Sequence, residues 1–286
     1  MWRFLLKVFF PSPCVDCGFL SEALCTRCFN KVEFAPHLRD LEGLQVCSAV
    51  YYEEKSIIGR LVHPFKYSHQ ADLFRIFVPW MKEALRLLHN FEGAVFVPVP
   101  LYKGRLLERG YNQAELLARW LARDFGTVMV PMLERCKDTG SQAKIRDRSG
   151  RIENMEGAFK MVSGCMEEYP IVLVDDIVTT GSTLLACAEV LRAAGAKKVF
   201  ALTLADREKK KIGARDGCFT QHSKQTYGRG AVQHRNHFSS TEGNSGFGSE
   251  TVHAGLDLPI STKIAEAITG VATVDTVSLE PGNAFA

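Results

Sequence analysis

Asp175 and Asp176 end an apolar run, Ile171-Val-Leu-Val174. After Ile177 and Val178 come five small or hydroxyl-bearing residues: Thr179, Thr180, Gly181, Ser182 and Thr183. Carboxylates where a strand stops can accept hydrogen bonds from the vicinal hydroxyls of a sugar. A hydroxyl-rich loop that opens a helix presents backbone N–H groups and the positive end of the helix dipole, which suits a phosphate. Gly181 lets the backbone come close to an oxyanion. The pattern therefore describes a site for a sugar phosphate, hydroxyls at one end and phosphate at the other. An apolar strand ending in two aspartates could also be the magnesium-positioning element of an NTPase. That reading requires a G-x-x-x-x-G-K-[ST] loop, and the chain has none.

A second group follows Val97-Pro98-Val99-Pro100-Leu101: Arg105, Arg109, Gly110, Tyr111, Asn112 and Gln113. Forked guanidinium groups beside a stiff loop suit phosphate oxygens, although arginines alone are as readily a solvated basic face. Residues 100–151 carry eleven Lys/Arg against six Asp/Glu, so a basic surface is expected beside the site. Such a surface fits pyrophosphate and a nucleic-acid backbone equally well. Between Arg135 and Phe159 lies a polar stretch with Thr139, Gln142, Arg146, Arg148, Arg151 and Asn154. A loop of that length in a compact domain is either functional or disordered. Lys66, in His63-Pro-Phe-Lys66-Tyr67, is a ligand contact or a surface lysine beside a packed Tyr67.

Cys14-x-x-Cys17 and Cys25-x-x-Cys28 are seven residues apart. Two such knuckles can supply four thiolates to a tetrahedral zinc, and four protein ligands leave no open position, so the metal would be structural. Free thiols or a redox pair are the alternative. Cys47, Cys136, Cys165, Cys187 and Cys218 have no such spacing, nor do His222, His234, His237 and His253.

The elements that must position these groups alternate. Ala94–Val99, Thr127–Leu133, Pro170–Asp175 and Lys198–Leu204 read as strands. A helix capped by Asn112 presents Leu116, Leu117, Trp120, Leu121 and Phe125, and a second runs from Thr183 to Ala194 before Gly195. Leu73–Leu88 reads as a helix containing Pro79. Alternation of this kind predicts an α/β fold with a parallel sheet flanked by helices and ligands beyond the carboxyl ends of the strands. The expected division is a zinc-binding module at 1–35, a main domain at 45–205 whose segment 45–92 covers the site, and an unassigned tail at 206–286.

Composition bounds the rest. The 286 residues are 46% hydrophobic and 23% charged with net charge +3, so nucleic-acid contact would need a local patch. Met1–Phe10 is interrupted by Lys7 and followed by Pro11 and Pro13, which reads as an amphipathic element, not an export signal. No stretch is long and apolar enough to span a bilayer, and a cytoplasmic location is expected. From Asp206 to Glu250 only nine of 45 residues are apolar and seven are glycine, so disorder is the default. Ser261–Thr269 reads as a short helix and Val271–Leu279 as a strand.

The run from Ile171 to Thr183 closely resembles the phosphoribosyl pyrophosphate motif of type I phosphoribosyltransferases. P-V-P-L…R…R-G-Y-N-Q resembles the signature of the ComF-like members of that class, which are associated with DNA uptake and commonly begin with a zinc finger. The resemblance covers about residues 1–205. It implies that Asp175 and Asp176 hold the ribose hydroxyls, directly or through magnesium, and that Thr179, Thr180, Gly181, Ser182 and Thr183 hold the 5-phosphate. Pro100 and Leu101 correspond to the pyrophosphate loop, with Arg105 and Arg109 at the reacting end. It implies a mobile catalytic loop between Arg135 and Phe159 and a covering segment that includes Lys66. The implied reaction is displacement of pyrophosphate at ribose C1. A non-catalytic module that senses ligand or accompanies single-stranded DNA and uptake proteins is the alternative.

Overall fold

The computed structural model describes residues 13–20, 22–68, 70–138, 157–164 and 167–207. The expected N-terminal element, most of the polar stretch after Asp138, Cys165, Cys218, the tail histidines and the two tail elements lie outside the described residues.

Ile171–Val178 (β6) is apolar on both faces over its first four residues, as a strand covered on both sides must be. Its neighbours are Val199–Asp206 (β7) and Val95–Pro98 (β3), both parallel to it. Leu44–Tyr51 (β2) pairs parallel with β7, and His37–Leu41 (β1) pairs antiparallel with β2. The sheet order is β1-β2-β7-β6-β3. Between β1 and β2 the chain turns at Glu42 and Gly43, both at positive φ (52° and 81°), the geometry that fits a two-residue hairpin to strand twist. The architecture is the expected α/β class: a mostly parallel sheet flanked by helices.

Helix Ile57–Tyr67 (α2) begins where the Ser56 hydroxyl accepts the Gly59 N–H at 3.2 Å. A 3₁₀ turn, Ala71–Leu73, leads into Phe74–Leu85 (α3), so the expected 73–88 helix is shorter at its end and keeps Pro79 inside. Lys103–Arg109 (α4) and Gln113–Asp124 (α5) follow β3. Asn112 caps α5 as its sequence position suggested, accepting the Ala114 N–H at 3.1 Å. Ser182–Ala193 (α6) joins β6 to β7. Thr26–Phe29 (α1) is one short turn inside the cysteine module.

Residue parity along β6 separates two cores. Val172 and Val174 pack with Phe65, Phe77, Trp80, Leu117 and Leu121 of α2, α3 and α5. Ile171 and Leu173 pack with Leu184 and Leu191 of α6 and with Val95 and Val97. The same alternation decides where the next two side chains, Asp175 and Asp176, are sent.

Three expectations are corrected. Thr127–Leu133 is not one strand. Met129 makes a single parallel bridge to Phe96, and the chain then leaves the sheet at Pro131, which has no N–H to donate. Leu133–Arg135 (β4) pairs instead with Phe159–Met161 (β5) in a separate two-stranded ribbon. Second, β6 does not stop at the carboxylates but stays paired with β7 through Val178. Third, the last strand continues past Leu204 to Asp206, which is fully buried. The hairpin strand β1 lies where the sequence offered no element.

Candidate active site

Asp175 and Asp176 sit at the carboxyl end of the parallel strands, but consecutive strand residues face opposite sides. Asp176 faces the α2 layer, is buried, and receives Lys66 Nζ at 3.0 Å. Asp175 is half-buried, with one oxygen accepting the N–H of Asp176 at 2.8 Å. Burial and then the neighbouring Asp176 charge push the Asp175 pKa up to about 7, against the pull of Lys66, that N–H and Arg135. The acidic pair is therefore not two equivalent carboxylates. One is held by a lysine, and the other is poised to exchange a proton near neutrality.

Thr179, Thr180 and Gly181 connect β6 to α6, and a shallow cleft runs along them from Asp175 to Leu184. Gly181 adopts φ +83° and is the residue immediately before the helix. A Cβ there would lie 2.2 Å from Leu41 Cδ1, so the close neighbour that demands glycine is the β1–β2 hairpin. Thr180 Oγ1 and Ser182 Oγ lie 3.1 Å apart, joining the loop's hydroxyls across the helix start. Arg39 Nη1 donates to the Thr179 carbonyl at 3.1 Å and pairs with Asp206 at 3.1 Å. The N–H groups of residues 181–183 lie at the helix start, where an anion would sit, with that of Ser182 turned to Thr180 Oγ1 at 3.5 Å.

The expected cations divide. Arg105 is partly exposed on α4, 4.0 Å from Asp138. Arg109 is buried: its guanidinium lies over the Tyr67 ring at 4.8 Å, donates to Tyr67 Oη at 3.3 Å and to Gln113 Oε1 at 3.1 Å. Pro100 and Leu101 follow β3, where Val99 N–H meets the Val174 carbonyl at 2.9 Å, so this loop is pinned beside Asp175. Both line a 160 Å³ cavity with Leu106, Asn112 and Pro131.

Sequence reasoning passed over Arg39, Asp206 and Arg135. Arg135 on β4 is buried over Phe159 at 5.5 Å. Burial and the charge of Arg105 lower its pKa while Asp175 and Asp138 raise it, which places a second cation in the field of the acidic pair. The pairing of β7 with β2 and β6 carries Asp206 and the β1–β2 hairpin with Arg39 to the site, and the pairing of β4 with β5 holds Arg135 there; no local motif announces that.

In the N-terminal module, the sulfurs of Cys14, Cys17, Cys25 and Cys28 all lie within 4.8 Å of one another, with Cys17 and Cys25 at 3.7 Å. Thiolates about 2.3 Å from a tetrahedral zinc stand ~3.8 Å apart, so the four sulfurs fit that ion. Burial opposes ionisation of Cys14, but N–H groups of Cys17, Cys25 and Asp16 bring its pKa down to about 6. Asp16 binds Lys31 at 3.1 Å and Arg60 of α2, and Phe29 packs on Trp80 of α3 at 5.6 Å. The module is thus fastened to the layer that carries Lys66.

A mostly parallel sheet whose central strand runs through two aspartates into a hydroxyl loop and a helix defines a type I phosphoribosyltransferase-like domain. A family model described as "Phosphoribosyl transferase domain" matches residues 161–228. The four-cysteine module in front and the R-G-Y-N-Q run narrow the likeness: the chain is similar to ComF-type competence proteins with a phosphoribosyltransferase domain. It is 29% identical over 223 residues to Competence protein F of Haemophilus influenzae, covering 67% of this chain and 95% of that one. Competence protein ComFC of Streptococcus pneumoniae is 28% identical over 200 residues, covering 67% and 86%. DNA utilization protein YhgH of Escherichia coli K12 is 31% identical over 150 residues, covering 50% and 64%. No described helix is long and apolar enough to cross a membrane.

Proposed function

We propose that this protein binds phosphoribosyl pyrophosphate and transfers its phosphoribosyl group to a nitrogen acceptor. The observation that carries this reading is the β6–loop–α6 unit: Asp175 and Asp176 in the last half of β6, then Thr179–Thr183 opening a twelve-residue helix. The loop's N–H groups and hydroxyls would hold the 5-phosphate and the carboxylates the ribose hydroxyls. Magnesium bound with the ligand would neutralise charge on the pyrophosphate. Lys66 and Arg105, here paired with Asp176 and Asp138, are cations among the described residues that would turn to the departing group, beside the loop of Pro100 and Leu101. The bond from ribose C1 to the pyrophosphate oxygen breaks and a bond from C1 to nitrogen forms. Pyrophosphate leaves with the electron pair, and the nitrogen gives up its proton to solvent. The protein's contribution is orientation and fixed charge. Bound zinc in the cysteine module would be structural.

Calorimetry with phosphoribosyl pyrophosphate and magnesium tests the binding half, and pyrophosphate release across purine, pyrimidine and amine acceptors tests the transfer. Asp175→Asn and Asp176→Asn are each expected to lose ~1.5–3 kcal/mol of binding, the worth of a charge-assisted hydrogen bond. Unchanged affinity in both folded variants overturns the assignment.

The relatives' names, competence and DNA utilization proteins, support a second reading, a non-catalytic module that accompanies single-stranded DNA. The cations at the zinc module favour it only weakly, because Lys31 and the neighbouring Arg60 of α2 are both paired with Asp16. This reading expects single-strand binding that weakens steeply with salt and no pyrophosphate release with any acceptor.

A further inference from the structure

The R-G-Y-N-Q run, Arg109 to Gln113, does not reach the phosphate loop in this structure. It reaches the last turn of α2. The final carbonyls of a helix have no partner within the helix. Here two of them are taken by this run: Tyr111 Oη donates to the Phe65 carbonyl, and Gln113 Nε2 donates to the carbonyls of Phe65 at 3.3 Å and Lys66 at 3.4 Å. Arg109 holds the next residue, Tyr67, by its ring and its hydroxyl. Arg109 Nη1 also donates to the Gln113 amide oxygen, which orients that amide so that its NH₂ points at α2. Asn112 fixes the other side, donating from Nδ2 to the Val99 carbonyl at 3.0 Å. Gly110, at φ +75°, makes the sharp exit from α4 that lets Arg109 and Tyr111 face the same target.

The residue gripped from both sides is Lys66, whose ammonium lies 3.0 Å from Asp176. Lysine is a flexible point charge that sits where its backbone puts it. Arg109 itself is 8% exposed, has no carboxylate partner among the described residues, and its Nε has no hydrogen-bond partner. A buried guanidinium satisfied only by neutral groups is costly to keep, and Tyr67 stands over it.

We propose that Arg109, Tyr111 and Gln113 form a side-chain cap on α2 that sets Lys66 against Asp176, which makes them positioning residues for the acidic strand end and not ligand contacts. The consequence for ligand binding rests on the phosphoribosyl pyrophosphate reading; the cap itself does not.

Two measurements on the full chain separate the two. In the first, amine modification of Lys66 is followed by mass spectrometry without ligand, with Lys82, paired to Asp124 on the outer side of α3, as reference. Tyr111→Phe, Gln113→Ala and Arg109→Met are each expected to speed modification of Lys66, as Asp176→Asn should, and to leave Lys82 unchanged. Tyr111→Phe is the mildest of these, because it keeps the ring that packs on Phe65. A wild-type rate at Lys66 in these variants overturns the cap. A rise that includes Lys82 signals general unfolding and also counts against it. In the second, Gln113→Ala is expected to weaken phosphoribosyl pyrophosphate ~2- to 12-fold, the effect of one hydrogen bond. In a Lys66→Met background it should add nothing. Equal losses in both backgrounds overturn the link to Lys66. If wild-type protein binds no phosphoribosyl pyrophosphate, the functional reading falls and the modification rates alone decide the cap.

Discussion

Gly181 and Asp175 show how much chemistry hangs on single positions. An alanine at 181 must adopt a left-handed conformation, which costs about 1–2 kcal/mol, and must push back the buried Leu41 side chain. Gly181→Ala should therefore lower unfolding free energy by at least that amount in urea titrations. An unchanged midpoint would mean the loop does not hold φ +83°. Asp175 makes a prediction in pH. Its folded pKa is raised from 3.8 to about 7, so between those values the folded state holds a proton that the unfolded state has released. Stability contributed by this group is present at low pH and is lost as pH rises towards and through 7. Asp175→Asn removes the ionisable group and should raise the melting temperature more at pH 8 than at pH 5, measured without ligand or magnesium. A gain that is equal at both pH values would show that the carboxyl is not pushed up.

At the scale of elements, the hairpin β1–β2 and the cysteine module act as fasteners. The hairpin supplies Arg39, which ties the loop after β6 to the buried Asp206 at the end of β7. The module packs Leu24, Cys14 and Cys28 into the same core as α2 and α3. Its four sulfurs predict one zinc per chain, measurable by elemental analysis of protein purified without added metal. Cys28→Ser should lose the metal and lower the melting temperature, because the ion is bound by the folded state and not by the unfolded chain. Full metal content in that variant would place the ion elsewhere.

For the whole molecule, the position of Asp206 sets where the domain can be cut. A chain ending after Arg207 keeps the Arg39–Asp206 pair and the Arg207 N–H bond to the Val178 carbonyl at 3.0 Å. It should stay folded and bind phosphoribosyl pyrophosphate like the full chain. A chain ending at Ala205 removes the buried Asp206 carboxylate that Arg39 binds and should be ~3 kcal/mol less stable, the scale of breaking a buried pair. Thermal denaturation of the two truncations compares them directly. Equal stability would mean that Asp206 adds nothing, and failure of both to fold would mean that residues past 207 complete the core.

The sequence by itself determined the groups whose partners lie close along the chain. The strand, aspartates, loop and helix from Ile171 to Ala193 form one local unit, and the two C-x-x-C knuckles another. Both were legible because strand alternation, helix caps and metal-ligand spacing repeat over a few residues. Asn112 as a cap was legible for the same reason. The tertiary structure decided what depends on distant pairing. It put Asp175 and Asp176 on opposite faces by extending β6 to Val178, a register set by pairing with β7. It brought Arg39 to Thr179 across 140 residues of chain and set the Arg109 guanidinium over Tyr67. It broke the expected 127–133 strand at Pro131, because β4 had a better partner in β5. Apolar periodicity records which face of an element is buried, but not which other element covers it, and that choice settles the partner of every charge at this site.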